Sequence, residues 1–557
     1  MPEDETIRKY ALQNALLHGG KAEKGAVLGK LIGEKPDLKP KIRQLMQDIE
    51  RIIKDVNSLS PESQRAELEK SAPELLVREK KERTTELPDL PGAETGNIVM
   101  RLAPYPSGPL HIGNARMVLL NDEYVKMYCG KLILVFDDTI GSEEKNIVPE
   151  AYGMIKDALD WLGVTCHEIL YKSDRLPLFY EWAEKLIMNG NAYVCECATE
   201  VLRKNRADGA ECAHRQQGMD ENLEKWKRML SGGYAEGSAI LRLKTDMRHK
   251  NPAFRDRALL RIKEKEHPRA GTKYRVWPLL EFSWAVDDHL LGVTHVLRGK
   301  DLVIEDEMEK YIWHALGLKP AQFVHYGMLR IKESKLSKSK SMAEVKSGAF
   351  SGWDDPRTWS IQSLRKRGIR PEAVRKFILS FGVSLSDIEV PAENLYSENR
   401  ALIDAGANRY FFVSDPVWIR IDKLPRELQF IEAVNHPDFE ERGRRKVAAG
   451  DEVAVDRRDF EKLEGQEIRL KDFCNIRLGK ESEFLSREVR DIPKIQWAER
   501  KSGIPVAVVM DDGSAIEGVG EASISGLKEG DVVQFERFGF VRIDSKGGKI
   551  TACFGHK

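Results

Sequence analysis

Apolar residues recur along this chain with two different periods. Near the start, Ile42, Leu45, Ile49, Ile52, Ile53 and Val56 fall at helical spacing and form one stripe. His18-Gly19-Gly20 breaks an earlier helix, and Ser60-Pro61-Glu62 opens a later one, with serine as cap and proline at the first helical position. The charged run Arg78 to Arg83 reads as a solvated face, and Leu87-Pro-Asp-Leu-Pro-Gly92 as a linker. Residues 1–95 are therefore expected to be a helical extension and its linker. A strand then runs from Asn97 to Leu102. Pro104, Pro106, Ser107, Gly108 and Pro109 force a loop, because proline lacks an amide and fixes φ. A helix from Ile112 to Met127 carries Ala115, Val118, Leu119 and Val125 roughly on one face, and Leu132 to Phe136 is a second strand. This βαβ unit puts free amides and a helix dipole at the strand ends, where they favour phosphate. Pro149 to Leu162 and Arg175 to Asn189 read as helices on either side of a strand from Val164 to Tyr171. Leu241 to Leu243 suggests a strand, and Ile361 to Arg367 and Pro371 to Phe381 suggest helices.

From about Asn399 the period shortens. Tyr410–Val413, Val417–Ile421, Phe430–Val434, Val453–Val455, Glu467–Leu470 and Ile476–Leu478 are short apolar or alternating runs, as are Lys494–Ala498, Pro505–Met510, Val532–Glu536 and Phe540–Ile543. Turns such as Asp511-Asp-Gly513 and Lys546-Gly-Gly548 separate them. Many short strands without intervening helices predict β-barrels.

Composition bounds the rest. The 557 residues suffice for three or four domains at about 150 residues each. Lysine plus arginine equals aspartate plus glutamate, 89 against 89, so any nucleic-acid contact has to come from local basic patches. No run reaches the roughly 18 apolar residues of a membrane helix. The acidic start Met-Pro-Glu-Asp-Glu has no signal-peptide core, and the 7 cysteines do not suggest a disulfide framework; the expectation is a cytoplasmic protein without a membrane role.

Two sets of residues carry candidate chemistry. Cys195-Glu-Cys197 and Cys212-Ala-His214 supply three sulfurs and one ring nitrogen, a donor set that suits tetrahedral zinc; free thiols in a charged loop are the alternative. Between Arg242 and Lys265 lies the densest positive stretch of this half, including Arg248, Lys250, Arg255 and Arg257, which fits either a grip on nucleic acid or an ordinary solvated surface. Further on, Lys335-Leu-Ser-Lys338-Ser-Lys-Ser341 is lysine- and serine-rich, a weak signal by itself.

Three stretches together resemble one family. Arg101-Leu-Ala-Pro-Tyr-Pro-Ser107-Gly108-Pro-Leu-His111-Ile-Gly113-Asn114 is similar to the nucleotide signature of class I aminoacyl-tRNA synthetases, in the form used by the glutamyl/glutaminyl branch. Asn114 stands where the family has a final histidine; an amide donates a hydrogen bond but carries no charge. Val286-Asp-Asp-His-Leu-Leu-Gly-Val-Thr-His-Val-Leu-Arg298-Gly299 resembles the glutamyl branch closely. Upstream, Leu280 stands where that branch often has a tyrosine lining the amino-acid pocket. Lys335 to Ser341 resembles the Lys-Met-Ser-Lys-Ser loop, with leucine for methionine. The closing Val533-Gln-Phe-Glu-Arg537-Phe-Gly-Phe-Val-Arg542 is similar to the end of archaeal anticodon-binding barrels, and archaeal members also carry a helical extension at the front.

The resemblance implies a multidomain α/β fold: a Rossmann-like catalytic fold at 96–190 and 274–345, an inserted acceptor-stem-binding domain at 191–273, a helical connector at 346–395 and anticodon-binding β-barrels at 396–557. It implies ATP with Mg2+, L-glutamate and tRNA(Glu) as substrates, and a monomer. ATP falls to Ser107, Gly108, His111, Gly113, Asn114, Lys335 and Lys338, with Lys338, Lys335 and His111 acting on the transferring phosphates. Glutamate falls to Arg101, Asp137 and Arg298. An arginine binds a carboxylate through two parallel hydrogen bonds, so Arg298 suits a glutamate side chain. By resemblance, zinc falls to Cys195, Cys197, Cys212 and His214. Charging of tRNA(Gln) with glutamate stays open, as do a glutaminyl enzyme and a catalytically idle tRNA-binding paralogue.

Overall fold

The computed structural model describes all residues except 1, 18, 35–41, 76–86, 142–145 and 333–337. His18, the charged run 78–83 and Lys335 lie outside the described residues. The chain divides into two compact units, Met1–Thr84 and Thr85–Lys557.

The first unit is helical: α1 (Pro2–Leu17), α2 (Lys24–Glu34), α3 (Ile42–Val56) and α4 (Pro61–Ser71). Leu45, Ile49, Ile52, Ile53 and Val56 of α3 enter a core with Ile7, Leu12, Val27, Leu31 and Leu68. The Ser60 side chain accepts from Ser63 N, which caps α4 as its sequence suggests.

The second unit begins with parallel strands β1 (Val99–Leu102), β2 (Lys131–Phe136) and β3 (Glu168–Tyr171), in the order β1-β2-β3. Helix α5 (Ile112–Met127) joins the first two. It is buried on nearly every side, because helices pack on the face turned away from the sheet; Arg116 is sealed inside, donating to the carbonyls of Gly327 and Gly382. Gly130 opens β2 where a Cβ would stand 2.4 Å from the Ile98 carbonyl, so only glycine admits this approach. Helix α6 (Pro149–Trp161) leads to β3, which begins at Glu168, because Val164 bonds back to Leu159 and packs beside the helix end. Helix α7 (Leu176–Met188) follows.

An antiparallel sheet of β4 (Ala192–Cys195), β5 (Ile240–Leu243), β6 (Ala258–Ile262) and β7 (Val276–Pro278) is inserted next, with α8 (Thr199–Asp208) and α9 (Met219–Ser231) between its first two strands. After α10 (Leu280–Leu290) the parallel fold resumes with β8 (His295–Gly299), α11 (Val303–Ala315) and β9 (Gln322–Tyr326). Thr294 accepts from Val99 N and donates its own amide to Val99 O, which sets β8 along the free edge of β1. The parallel strands thus run β3-β2-β1-β8-β9, and the order reverses between β1 and β8. A ligand crevice belongs at that switch point, beyond the strand C-termini.

Strands β10 (Leu329–Ile331) and β11 (Ile388–Val390) pair in parallel around α12 (Lys338–Lys346), α13 (Ile361–Lys366) and α14 (Pro371–Leu379). Helix α15 (Glu393–Ile403) then leads to two barrel-like sheets of seven strands each. Two of the differences from the sequence reading have a local cause. Lys494–Ala498 splits into Lys494–Ile495 and Ala498–Glu499 on opposite edges of one sheet, with buried Trp497 at the crossing and its Nε1–H donating to Lys471 O. A helix, Arg457–Leu463, interrupts the strands because Asp456 caps it at Arg458 N.

Candidate active site and metal site

The loop after β1 is closed from outside. At Gly108 (φ +153°) a Cβ would stand 3.0 Å from the Trp353 ring, so the glycine lets the indole lie on the loop. Helix α5 opens with His111 as its cap. His111 Nδ1 accepts from Gly113 N at 3.1 Å, and Asn114 Oδ1 accepts from His111 N at 3.2 Å, a reciprocal cap. Asn114 therefore does a job its amide performs without charge. The Gly113 amide makes His111 Nδ1 an acceptor, which leaves Nε2 as the nitrogen that bears the proton of a neutral ring. Backbone bonds tie this turn to the connector: Ile112 N donates to Trp359 O, and Ile361 N to Leu110 O. Lys338 is the first residue of α12.

Arg101 and Arg298 stand at corresponding places near the ends of β1 and β8, on the two sides of the switch point. Both are buried, at 7% and 4% exposure. The Trp284 ring lies 4.8 Å from the Arg101 guanidinium carbon and 4.6 Å from that of Arg298, with Lys172 Nζ at 5.3 Å. Asp137, just beyond β2, pairs with Lys172 at 3.0 Å. The structure thus brings Arg101 and Arg298 to one indole, with Asp137 joined to them through Lys172.

The protein's own carboxylates engage both arginines. Arg101 donates through Nε and Nη2 to Asp288, a two-pronged pair. Arg298 donates through Nε to Asp306 at 2.7 Å and through Nη2 to Glu309 at 2.8 Å, while its Nη1 is buried without a partner. His325 contacts the other oxygen of Asp306. Burial pushes the Glu309 carboxyl up to about 7, against the opposing pull of Arg298. Lys172, Trp284, Asp306, Glu309 and Trp353 escaped sequence reasoning. Trp284 and the Asp306/Glu309 pair at helical spacing offered a faint signal, whereas Lys172, in a short turn after β3, offered none.

The four candidate metal ligands also come together. Their donor atoms all lie within 4.8 Å of one another. Cys195 Sγ is 3.7 Å from Cys212 Sγ and 3.9 Å from His214 Nδ1, and Cys197 Sγ is 3.3 Å from His214 Nδ1. Ligands about 2.0–2.3 Å from a tetrahedral zinc stand roughly 3.5–3.8 Å apart, so the set fits. Buried Arg242 directs Nη1 at Cys195 (3.8 Å) and Cys212 (4.0 Å), which favours thiolates, and Glu196 lies 3.5 Å from the far nitrogen of His214.

The inserted basic stretch is less free than it reads. Arg255 donates to the carbonyls of Arg206, Ala207 and His249, and Arg257 pairs with Glu281 and Glu305. Arg248, Lys250 and Lys265 are the exposed members. No helix among the described residues is long and apolar enough to cross a membrane.

Comparison with known proteins agrees with this geometry. The catalytic domain of class I tRNA synthetases (E and Q) matches residues 97–404, and two anticodon-binding domains of the same class match 407–492 and 494–544. Curated relatives named glutamate–tRNA ligase are 42% identical in Methanothermobacter marburgensis and 44% in Pyrococcus abyssi, each over 100% of both chains. In Archaeoglobus fulgidus the figure is 40%, over 99% of this chain and 100% of the relative. The chain belongs to the glutamyl/glutaminyl branch of class I tRNA synthetases.

Proposed function

We propose that this chain is a glutamate–tRNA ligase of archaeal type: L-glutamate and ATP with Mg2+ give glutamyl-adenylate and pyrophosphate, and the terminal ribose hydroxyl of tRNA(Glu) then takes the acyl group. The observation that carries the reading is the pair of buried arginines across the switch point, one of them with an unpartnered arm. A guanidinium nitrogen without a partner at 4% exposure is costly unless a ligand satisfies it, and a carboxylate is the ligand that fits. Arg298 takes the side-chain carboxylate, Arg101 the α-carboxylate and Asp137 the α-ammonium. The Ser107-Gly108 loop and the His111-Gly113-Asn114 turn hold the nucleotide, with amides at the α5 N-terminus facing phosphate. Lys335 and Lys338 neutralise charge on the phosphate oxygens as the α-carboxylate attacks. Catalysis is then positioning and electrostatics, with no general base.

The sheet β4–β7 is the platform for the acceptor stem, with Arg248 and Lys250 as its free cations, and the C-terminal barrels take the anticodon. Zinc at Cys195, Cys197, Cys212 and His214 braces that platform. The enzyme works as a cytoplasmic monomer. Whether tRNA(Gln) is a second acceptor is decided by the fraction of tRNA charged. The test is aminoacylation of total tRNA with labelled glutamate and, separately, glutamine. Glutamate charging alone is expected, with Arg298→Gln raising KM for glutamate 100-fold or more, on the scale of one charged contact. Glutamine charging would remove Arg298 from the side-chain pocket and favour the glutaminyl reading; no charging would favour the idle paralogue.

A further inference from the structure

The arginines and the lysine around Trp284 pair off with carboxylates and leave one acid over, while the titratable ring of His325 adds a second contact to Asp306. Arg101 pairs with Asp288, Lys172 with Asp137, Arg175 with Asp287, and Arg298 with Asp306. Glu309 is the fifth carboxylate, fully buried and also on Arg298, through Oε1. Its other oxygen, Oε2, has no partner. The groups facing this acid are Arg298 of β8, Arg101 of β1 and Asp288 of α10, with Asp306 of its own helix α11 sharing Arg298 and His325 of β9 acting through Asp306. Free glutamate brings two carboxylates and one ammonium, a net negative charge. A pocket that already holds one surplus anion cannot accept it without neutralising that anion first.

We propose that Glu309 is the positioning residue that tunes Arg298 for its substrate: as a neutral acid, with its proton on Oε2, it holds the guanidinium in place without consuming its charge, and as a carboxylate it competes with the substrate's side chain. This rests on the reading of Arg298 as the side-chain ligand. The raised affinity of Glu309 for its proton, with a midpoint near 7, supports it. The consequence concerns specificity. Glutamine brings no net charge, so loss of the Glu309 proton penalises glutamate and spares glutamine. Preference for glutamate over glutamine is then a property of the protonated pocket and narrows as pH rises.

The experiment is steady-state aminoacylation with the full chain and tRNA between pH 6 and 8.5, comparing wild type, Glu309→Gln, His325→Gln and Arg298→Gln. In wild type, KM for glutamate should rise about tenfold per unit above pH 7 while kcat changes little, the signature of one required proton. Glu309→Gln keeps an oxygen to accept from Arg298 but cannot ionise, so its KM should stay flat. His325→Gln should keep the rise. Calorimetry of glutamate binding to the wild-type tRNA complex, in buffers of different ionisation enthalpy, should show uptake of close to one proton at pH 8. A flat wild-type profile, a rise surviving in Glu309→Gln, a loss in His325→Gln, or absence of proton uptake each overturns the proposal. Arg298→Gln separates the two levels. If it leaves KM unchanged, the substrate reading fails; if it raises KM while Glu309→Gln copies wild type, only the role of Glu309 fails.

Discussion

At the scale of single residues, burial sets chemistry as often as sequence motifs do. His556 illustrates this away from the active site. Its ring is 1% exposed, stacks on Tyr396, accepts from Asn399 Nδ2 at 3.0 Å through Nε2 and donates through Nδ1 to Lys557 O. Burial pushes its pKa down to about 4. A histidine whose folded value is depressed binds fewer protons folded than unfolded between about 6.5 and 4. The stability it contributes is complete above 6.5 and is lost as pH falls through that window. At up to about 1.4 kcal/mol per unit this amounts to about 3 kcal/mol. Hydrogen exchange of the strand Ile550–His556 should therefore accelerate steeply from pH 7 to 5, after correction for intrinsic rates. In His556→Gln, which cannot charge, the corrected rates should be level across that range; an unchanged slope would mean that another group carries it.

At the scale of elements, the four candidate metal ligands show how a local structure acquires a role. Cys195 ends β4, and Cys212 caps the short turn that carries His214, so a metal would pin that turn to the strand. Burial pushes the Cys195 thiol up to about 12, so it becomes a ligand only when a cation displaces its proton. The purified chain should retain about one zinc after dialysis, and chelation should free the amides of 196–214 to exchange while β1 and β2 stay protected; less than about 0.2 zinc per chain would refute the site. This pairing was legible because the ligands come as two short motifs. The helix of the nucleotide loop was legible for the same reason: prolines, a glycine and a cap at fixed offsets dictate it. The barrels were legible only in part. Glu481–Ser486, Ala515–Gly520 and Ile550–His556 escaped because glycines and charges interrupt their alternation, and each is defined by its pairing partners rather than its own pattern. Lys172 and Glu309 escaped for a stronger reason: only the packed fold brings Lys172 to Trp284 and Glu309 to Arg298.

At the scale of the whole second unit, one short helix links the turn at His111 to the last strand of the C-terminal sheet. Helix α13 starts at the backbone bonds that hold Leu110 and Ile112 beside the nucleotide turn. Just past its last turn stands Arg367, 1% exposed, which donates to the carbonyls of Phe554 and Gly555 in the final strand of the C-terminal sheet and to the Tyr396 hydroxyl. This buried arginine has no carboxylate among the described ion pairs; Nε and Nη2 donate to backbone and hydroxyl oxygens, the faces of Trp359 and Tyr396 flank the guanidinium, and Nη1 is buried without a hydrogen-bond partner. The interaction fastens the last strand of the chain to the element that frames the nucleotide turn. Arg367→Met keeps much of the length and packing but strands two buried carbonyls, at a cost of roughly 1–3 kcal/mol each. The expected result is earlier melting of the C-terminal sheet. Turnover with tRNA should fall severalfold while KM for glutamate is unchanged, because the arginine pocket around Trp284 lies on other elements. If tRNA turnover holds while the sheet melts early, Arg367 fastens the strand and does nothing for the nucleotide turn. If KM for glutamate moves as well, the two ends share more than this helix.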